Sequence, residues 1–245
     1  MSAVNPLPMS LQPCRKALMI FAKRPMAGRV KTRLTPPLSP GDAAELYRRM
    51  LLDILAKCAR MVGVDLLLFY EPGEGSGRFF EEAAPGWACR PQEGGDLGAR
   101  LDSAFRLAFG EGYGEVAVIG TDSPDLPEEY VRLAFDLLDH RAVDAVYGPS
   151  EDGGYYLLAL KQHRPELFRD IPWSTGEVLE HSLARAKAVG VRVELLPVWY
   201  DVDSIADLWR PGLAGAGTVA PLTAEFVSGL ISAHPPDTPP PAGER

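Results

Sequence analysis

Val116-Ala117-Val118-Ile119-Gly120-Thr121-Asp122-Ser123-Pro124-Asp125-Leu126-Pro127 lies near the middle of a 245-residue chain. Its first four residues are apolar on both faces, as a central parallel strand must be when helices cover both sides of a sheet. Asp122 emerges where that strand ends. In open α/β sheets ligands bind beyond the carboxyl ends of the strands. A carboxylate there can reach a hard cation, and magnesium takes one or two carboxylates plus phosphate oxygens. Asp125 has two competing roles. It precedes the helix that Pro127 opens, so it is placed to cap that helix start or to border a substrate pocket.

Working outward, short apolar runs alternate with helical patterns, the mark of βαβ units and a largely parallel sheet. Strands are predicted at 17–22, 65–70, 116–120, 145–147, 155–160 and 192–197, with a weaker one at 87–90. The best helix covers 40–62, where Ala43, Tyr47, Met50, Leu51, Ile54, Cys58 and Met61 recur at three- and four-residue steps. Ser39 and Asp42 have capping-box spacing at its start, and Pro40 suits the first turn. Further helices are predicted at 97–110, 127–139 and 177–189. The fold class is a single Rossmann-like α/β domain over residues 15–231. Residues 1–14 read as a flexible arm. Residues 232–245, with five prolines in fourteen positions, read as a disordered tail.

The chain has 46% apolar residues, enough for one full core, and a net charge of −8. That balance argues against general nucleic-acid or anionic-membrane binding, which need excess positive charge. Three widely spaced cysteines, Cys14, Cys58 and Cys89, indicate neither a disulfide framework nor a zinc site, so a reducing, cytoplasmic location is expected. Leu18–Ala22 is too short to span a bilayer. Trp199, Trp209 and the apolar stretch 226–231 are candidates for a contact between copies in a homodimer.

Three more strand-end loops carry chemistry. Ala22-Lys23-Arg24-Pro25-Met26-Ala27-Gly28-Arg29-Val30-Lys31-Thr32-Arg33 puts five cations in eleven residues, suited to wrapping phosphate oxygens around a flexible Gly28. It lacks the Walker pattern. Glu151-Asp152-Gly153-Gly154 lets a ligand approach the backbone, or simply makes a tight turn. In Asp201-Val202-Asp203-Ser204, the alternating aspartates share a face of extended chain, and either is free to help hold a metal. Asp207 is expected to box-cap a short helix with Ser204. Trp173-Ser174-Thr175 either lines a pocket or belongs to a Ser174/Glu177 capping box. The four histidines, His140, His163, His181 and His234, have no partner motif and are expected at the surface.

Read together, Ala22–Leu34, Gly95-Asp96-Leu97-Gly98-Ala99-Arg100-Leu101, Gly120–Pro127, Glu151–Leu157, Ile171–Thr175 and Asp201–Ser204 follow one another in register. The set resembles the DUF2064 family of nucleotide-diphospho-sugar transferases with the GT-A fold, over roughly residues 16–210. That family is similar in turn to phospholactate and molybdenum-cofactor guanylyltransferases. The resemblance implies a mostly parallel sheet with one reversed strand near 155–160. It implies nucleotide phosphates on the first loop and Mg2+ (or Mn2+) on Asp122 and Asp203. The nucleotidyltransferase loop usually carries a Gly-Gly pair, whereas here Pro25, Met26 and Ala27 precede the single Gly28.

The resulting expectation is a transferase acting on a nucleotide or nucleotide sugar and a small-molecule acceptor. Asp122, Asp203 and Lys31 are its catalytic centre, with the metal on the two aspartates. Ala22, Lys23, Gly28, Arg29, Lys31, Arg33, Asp96 and Arg100 hold nucleotide and phosphate. Asp125, Asp152, Gly153, Gly154, Trp173, Ser174 and Thr175 border the substrate pocket. Glycosyl transfer is the first reading and nucleotidyl transfer the second. A nucleotide-binding module without catalysis is the alternative from another class.

Overall fold

A computed structural model describes residues 14–214 and 217–233. Seven strands form one sheet: β1 (Lys16–Ala22), β2 (Asp65–Tyr70), β3 (Ala88–Pro91), β4 (Glu115–Ile119), β5 (Ala145–Pro149), β6 (Tyr155–Leu160) and β7 (Val193–Leu195), in the order β3-β2-β1-β4-β6-β5-β7. All neighbours run parallel except at β6, which is antiparallel to both β4 and β5. This is the reversed strand that the GT-A resemblance implies. The helices are α1 (Pro40–Cys58), α2 (Ser76–Ala83), α3 (Leu97–Gly110), α4 (Glu128–Asp139), α5 (Val178–Ala188), a short α6 (Pro211–Ala214) and α7 (Pro221–Ala233).

The period-two alternation of a strand divides the core. Ala17 and Met19 of β1, with Val116 and Val118 of β4, pack on one face against Leu101, Ala104 and Phe105 of α3. Leu18, Ile20, Ala117 and Ile119 pack on the other against Ile54 and Cys58 of α1 and Val131, Ala134 and Phe135 of α4. β4 is buried at every position, as the unbroken apolar run over 116–119 requires. α1 ends at Cys58 rather than Val62: the chain turns there, leaving Val62 82% exposed. Asp53 of α1 is buried and caps α7, accepting from the Leu222 and Thr223 amides at 3.1 and 2.8 Å and from the Thr223 hydroxyl at 2.7 Å.

Two of the candidates for a contact between copies also pack within the chain, and one histidine expected at the surface is half-buried. Trp199 stacks on Tyr200 and meets Tyr130 edge-on, with centroids 5.5 and 5.6 Å apart. Phe226 packs against the cluster built on Leu46 and Met50. These side chains are used inside the fold. His163 is half-buried and lies 2.6 Å from Asp102. Of the expected arm at 1–14 and tail at 232–245, residues 1–13 and 234–245, His234 among them, lie outside the described residues, while Ser232 and Ala233 belong to α7 rather than to a disordered tail. Among the described residues, no helix is long and apolar enough to cross a membrane.

Candidate active site

The strand order leaves a cleft of about 790 Å³ over the carboxyl ends of β1 and β4. Side chains and backbone pin its loops together. Tyr47, buried on α1, accepts from the Lys23 amide at 2.9 Å and shares a 2.6 Å hydroxyl bond with Thr121. One side chain thus joins the start of the basic loop to the end of β4. The Val202 amide donates to the Asp122 carbonyl at 2.8 Å, which brings the segment after β7 beside the one after β4. Asp201 secures the same junction, accepting from Ser123 at 2.7 Å and Ser150 at 2.8 Å. Burial pushes its carboxyl above the ordinary range.

Asp122 and Asp203 meet at one point, the ammonium of Lys31. Lys31 pairs closely with Asp122 Oδ1 and lies 3.1 Å from Asp203 Oδ1, while Arg33 holds Asp203 Oδ2 at 3.0 Å. The Lys31 side chain is only 3% exposed. Burial alone lowers the pKa of such an amine, but the two carboxylates outweigh it and hold the pKa above the ordinary lysine value. Lys31 reaches this position through a left-handed backbone, φ 47°, at the start of a short 3-10 turn over Thr32–Leu34. That conformation is uncommon for a residue with a side chain.

Most of the residues anticipated from sequence line the cleft: Ala22, Lys23, Arg29, Lys31, Arg33, Asp96, Arg100, Asp122, Asp152, Gly154, Trp173, Ser174, Thr175 and Asp203. Three do not. Gly28 forms the outer turn of the basic loop at φ 74°, with open space around it. Gly153 lies beneath the rim, packed on the Gly176 backbone. Asp125 is buried, accepts from the Tyr200 hydroxyl, and faces a smaller cavity with Pro127 and Trp199; it neither caps α4 nor borders the cleft. The expected Ser174/Glu177 box is also absent. Ser174 is left-handed at φ 66°, and Thr175 accepts from the Glu177 amide instead. The Ser204/Asp207 box is present. Asp96 caps α3 through the Ala99 amide at 2.8 Å while lining the cleft.

Sequence reasoning passed over Tyr47, Gln92 and Ser123. Tyr47 was counted as an apolar position of α1, and only its hydroxyl, which needs a partner once buried, marked it as different. Gln92 lines the cleft at the end of β3, donating to the Phe69 carbonyl at 2.9 Å.

The family model described as "Uncharacterized protein conserved in bacteria (DUF2064)" matches residues 54–175. A crystal structure from Desulfovibrio desulfuricans G20, of a candidate nucleotide-diphospho-sugar transferase, superposes with a TM-score of 0.79 at 32% identity, covering 87% of this chain and 97% of that one. The chain belongs to the DUF2064 family. This DUF2064 chain is also 30% identical over 196 residues to the 2-phospho-L-lactate guanylyltransferase of Methanothermobacter thermautotrophicus, covering 78% of this chain and 82% of the relative. The structure of a cytidylyltransferase from Leptospira borgpetersenii shares the fold, with a TM-score of 0.54 at 12% identity, over 91% of this chain and 95% of that one.

Could the site hold a metal? Among the described residues, no group of three or more His, Cys, Asp or Glu side chains is arranged to hold one alone. The donor set nevertheless fits magnesium, which commonly uses one or two carboxylates and takes its remaining ligands from water and phosphate. Asp122 and Asp203 already converge on one positive charge, and both stay partly open to the cleft, at 49% and 39% exposure.

Proposed function

We propose that this chain is a cytoplasmic, magnesium-dependent transferase that moves a sugar from a nucleotide sugar to a small hydroxyl-bearing acceptor. The observation that carries the reading is the convergence of Asp122 and Asp203 on one cation beside the basic loop. Asp122 and Asp203 would hold the ion, which when bound offsets charge growing on the departing diphosphate. Lys23, Arg29 and Arg33 line the same cleft and add positive charge around that group.

The acceptor wall favours glycosyl over nucleotidyl transfer. Between residues 152 and 178 the residues lining the cleft include Asp152, Ser174 and Thr175, and no Lys or Arg is among them. Two hydroxyls and a carboxylate suit a neutral polyhydroxy molecule. A phosphorylated acid would bring negative charge against Asp152 with no countercharge on that side.

Nucleotidyl transfer is the second reading, favoured by the 30% identity to a guanylyltransferase. Product analysis tests the choice. The protein is incubated with Mg2+ and either nucleotide sugars or nucleoside triphosphates, with glycerol, monosaccharides or 2-phospholactate as acceptors. Release of a nucleoside diphosphate from a nucleotide sugar is the expected result. Release of pyrophosphate from a triphosphate, without consumption of any nucleotide sugar, overturns it.

A further inference from the structure

Four cationic side chains of the basic loop, Lys23, Arg29, Lys31 and Arg33, line the cleft, yet only one of them sits between both carboxylates. Arg33 is 75% exposed and touches the outer oxygen of Asp203 alone. Lys31 is buried to 3% exposure and bridges Asp122 Oδ1 and Asp203 Oδ1. Both oxygens of Asp203 therefore already carry a cationic donor. A divalent ion chelated by the two aspartates needs the ground on which the Lys31 ammonium stands. Two cations at that separation repel strongly in a partly dry cleft.

We propose that Lys31 is the built-in counter-cation of this site: its ammonium holds the bridging position between Asp122 and Asp203, and a divalent ion enters only by exchanging with it. The inference rests on the metal reading of the two aspartates. Without a cation, two carboxylates drawn together by the Val202–Asp122 backbone bond would repel each other. Lys31 neutralises them and keeps their loops in register before any nucleotide arrives. Free metal must then compete with a tethered ammonium and binds weakly. Metal arriving with a nucleotide brings phosphate oxygens that give the displaced ammonium a new partner. Ion entry and transfer of Lys31 from carboxylates to phosphates thus become one exchange. The flexible four-carbon stem of lysine allows that swing.

The experiment measures Mn2+ binding by the EPR signal of the free ion, with and without GDP and UDP. It compares wild type with Lys31→Met, whose side chain fills the buried niche without charge. Without nucleotide, Lys31→Met should bind Mn2+ at least about tenfold more tightly than wild type, roughly 1.4 kcal/mol. Wild type should approach that affinity only when a nucleotide diphosphate is added. Equal Mn2+ affinity of the two proteins without nucleotide overturns the exchange while leaving the metal site standing. No Mn2+ binding by either protein, even with nucleotide, overturns the metal reading itself. A second measurement needs no variant. Acetic anhydride labelling read by mass spectrometry should find Lys31 protected relative to Lys23 in wild type, and saturating Mn2+ alone should raise Lys31 labelling severalfold. Labelling that does not respond to Mn2+ counts equally against the exchange.

Discussion

Replacing Gly153 by alanine tests whether the acceptor wall is held by backbone packing. Gly153 sits at φ +86°, and a Cβ built there falls 1.9 Å from the Gly176 carbonyl oxygen and 2.6 Å from its carbon. Both are backbone atoms, so no rotamer change relieves the clash. The Gly153 carbonyl also accepts from the Leu179 amide at 2.9 Å, which ties the turn to the first residues of α5. Two costs add. The left-handed conformation costs an alanine about 1–2 kcal/mol, and forcing apart a packed contact costs about 1–3 kcal/mol. Gly86 has a nearly identical φ of +84° with nothing within 4 Å of its Cβ position. Gly86→Ala therefore carries the first cost only, and the difference between the two variants isolates the second. At roughly 2–4 °C per kcal/mol for a chain of this size, Gly153→Ala should melt about 2–12 °C below Gly86→Ala. Displacing Gly176 also moves the adjoining Trp173–Thr175 segment, so the KM for acceptor should rise in Gly153→Ala alone. Calorimetric melting points within about 1 °C of each other would refute the reasoning.

Other consequences follow from single contacts. Asp122→Asn should abolish Mg2+-dependent nucleotide binding, read by titration calorimetry, and lower stability by about 1–3 kcal/mol, because buried Lys31 loses one of its two carboxylates. Lys57 is buried and donates to the Pro124 and Leu126 carbonyls at 3.0 and 2.5 Å; Lys57→Met should cost about 1–3 kcal/mol and speed amide exchange in residues 120–127. Asp53→Ala removes three bonds at the start of α7 and should cost about 1–3 kcal/mol, with α7 exchanging first. Hydrogen bonds from Arg192 hold the Asp144 carboxyl down at about 2. Since the unfolded value is about 3.9, this pair adds stability above that pH and loses it as pH falls towards 2. Arg192→Ala should therefore flatten the acid limb of a denaturation series between those values and leave its neutral limb with the same slope.

Much of the fold was legible because its signals are local. The all-apolar run of β4, the three- and four-residue periodicity of α1 and the Asp96 start of α3 each depend on neighbours in the chain. The reversed β6 came from family resemblance, since no short pattern distinguishes a reversed buried strand from a parallel one. The proximity of the strand-end aspartates was legible from the rule that α/β ligands gather at carboxyl ends. The local chemistry there was not. Lys31 was expected in the catalytic centre as a phosphate ligand, whereas its partner Asp203, 172 positions away, holds it between two carboxylates. Asp125 looked like a pocket or cap residue, but Tyr200, 75 positions away, turns it from the cleft. The Ser174/Glu177 spacing is a real local pattern that lost to the left-handed turn at Ser174, where the Asp152–Gly153 backbone packs against Gly176.

The central claim is that Asp122 and Asp203 form one metal site for a bound nucleotide diphosphate. The most direct test is a crystal structure of the protein grown with Mn2+ and GDP or UDP, with diffraction collected at the manganese absorption edge. The account predicts a single anomalous peak in the cleft, within about 2.0–2.3 Å of a carboxylate oxygen from each aspartate and touching the diphosphate. It also predicts that the Lys31 ammonium will have left the space between them. A nucleotide bound in the cleft with the manganese peak elsewhere, or with no peak at all, would contradict it.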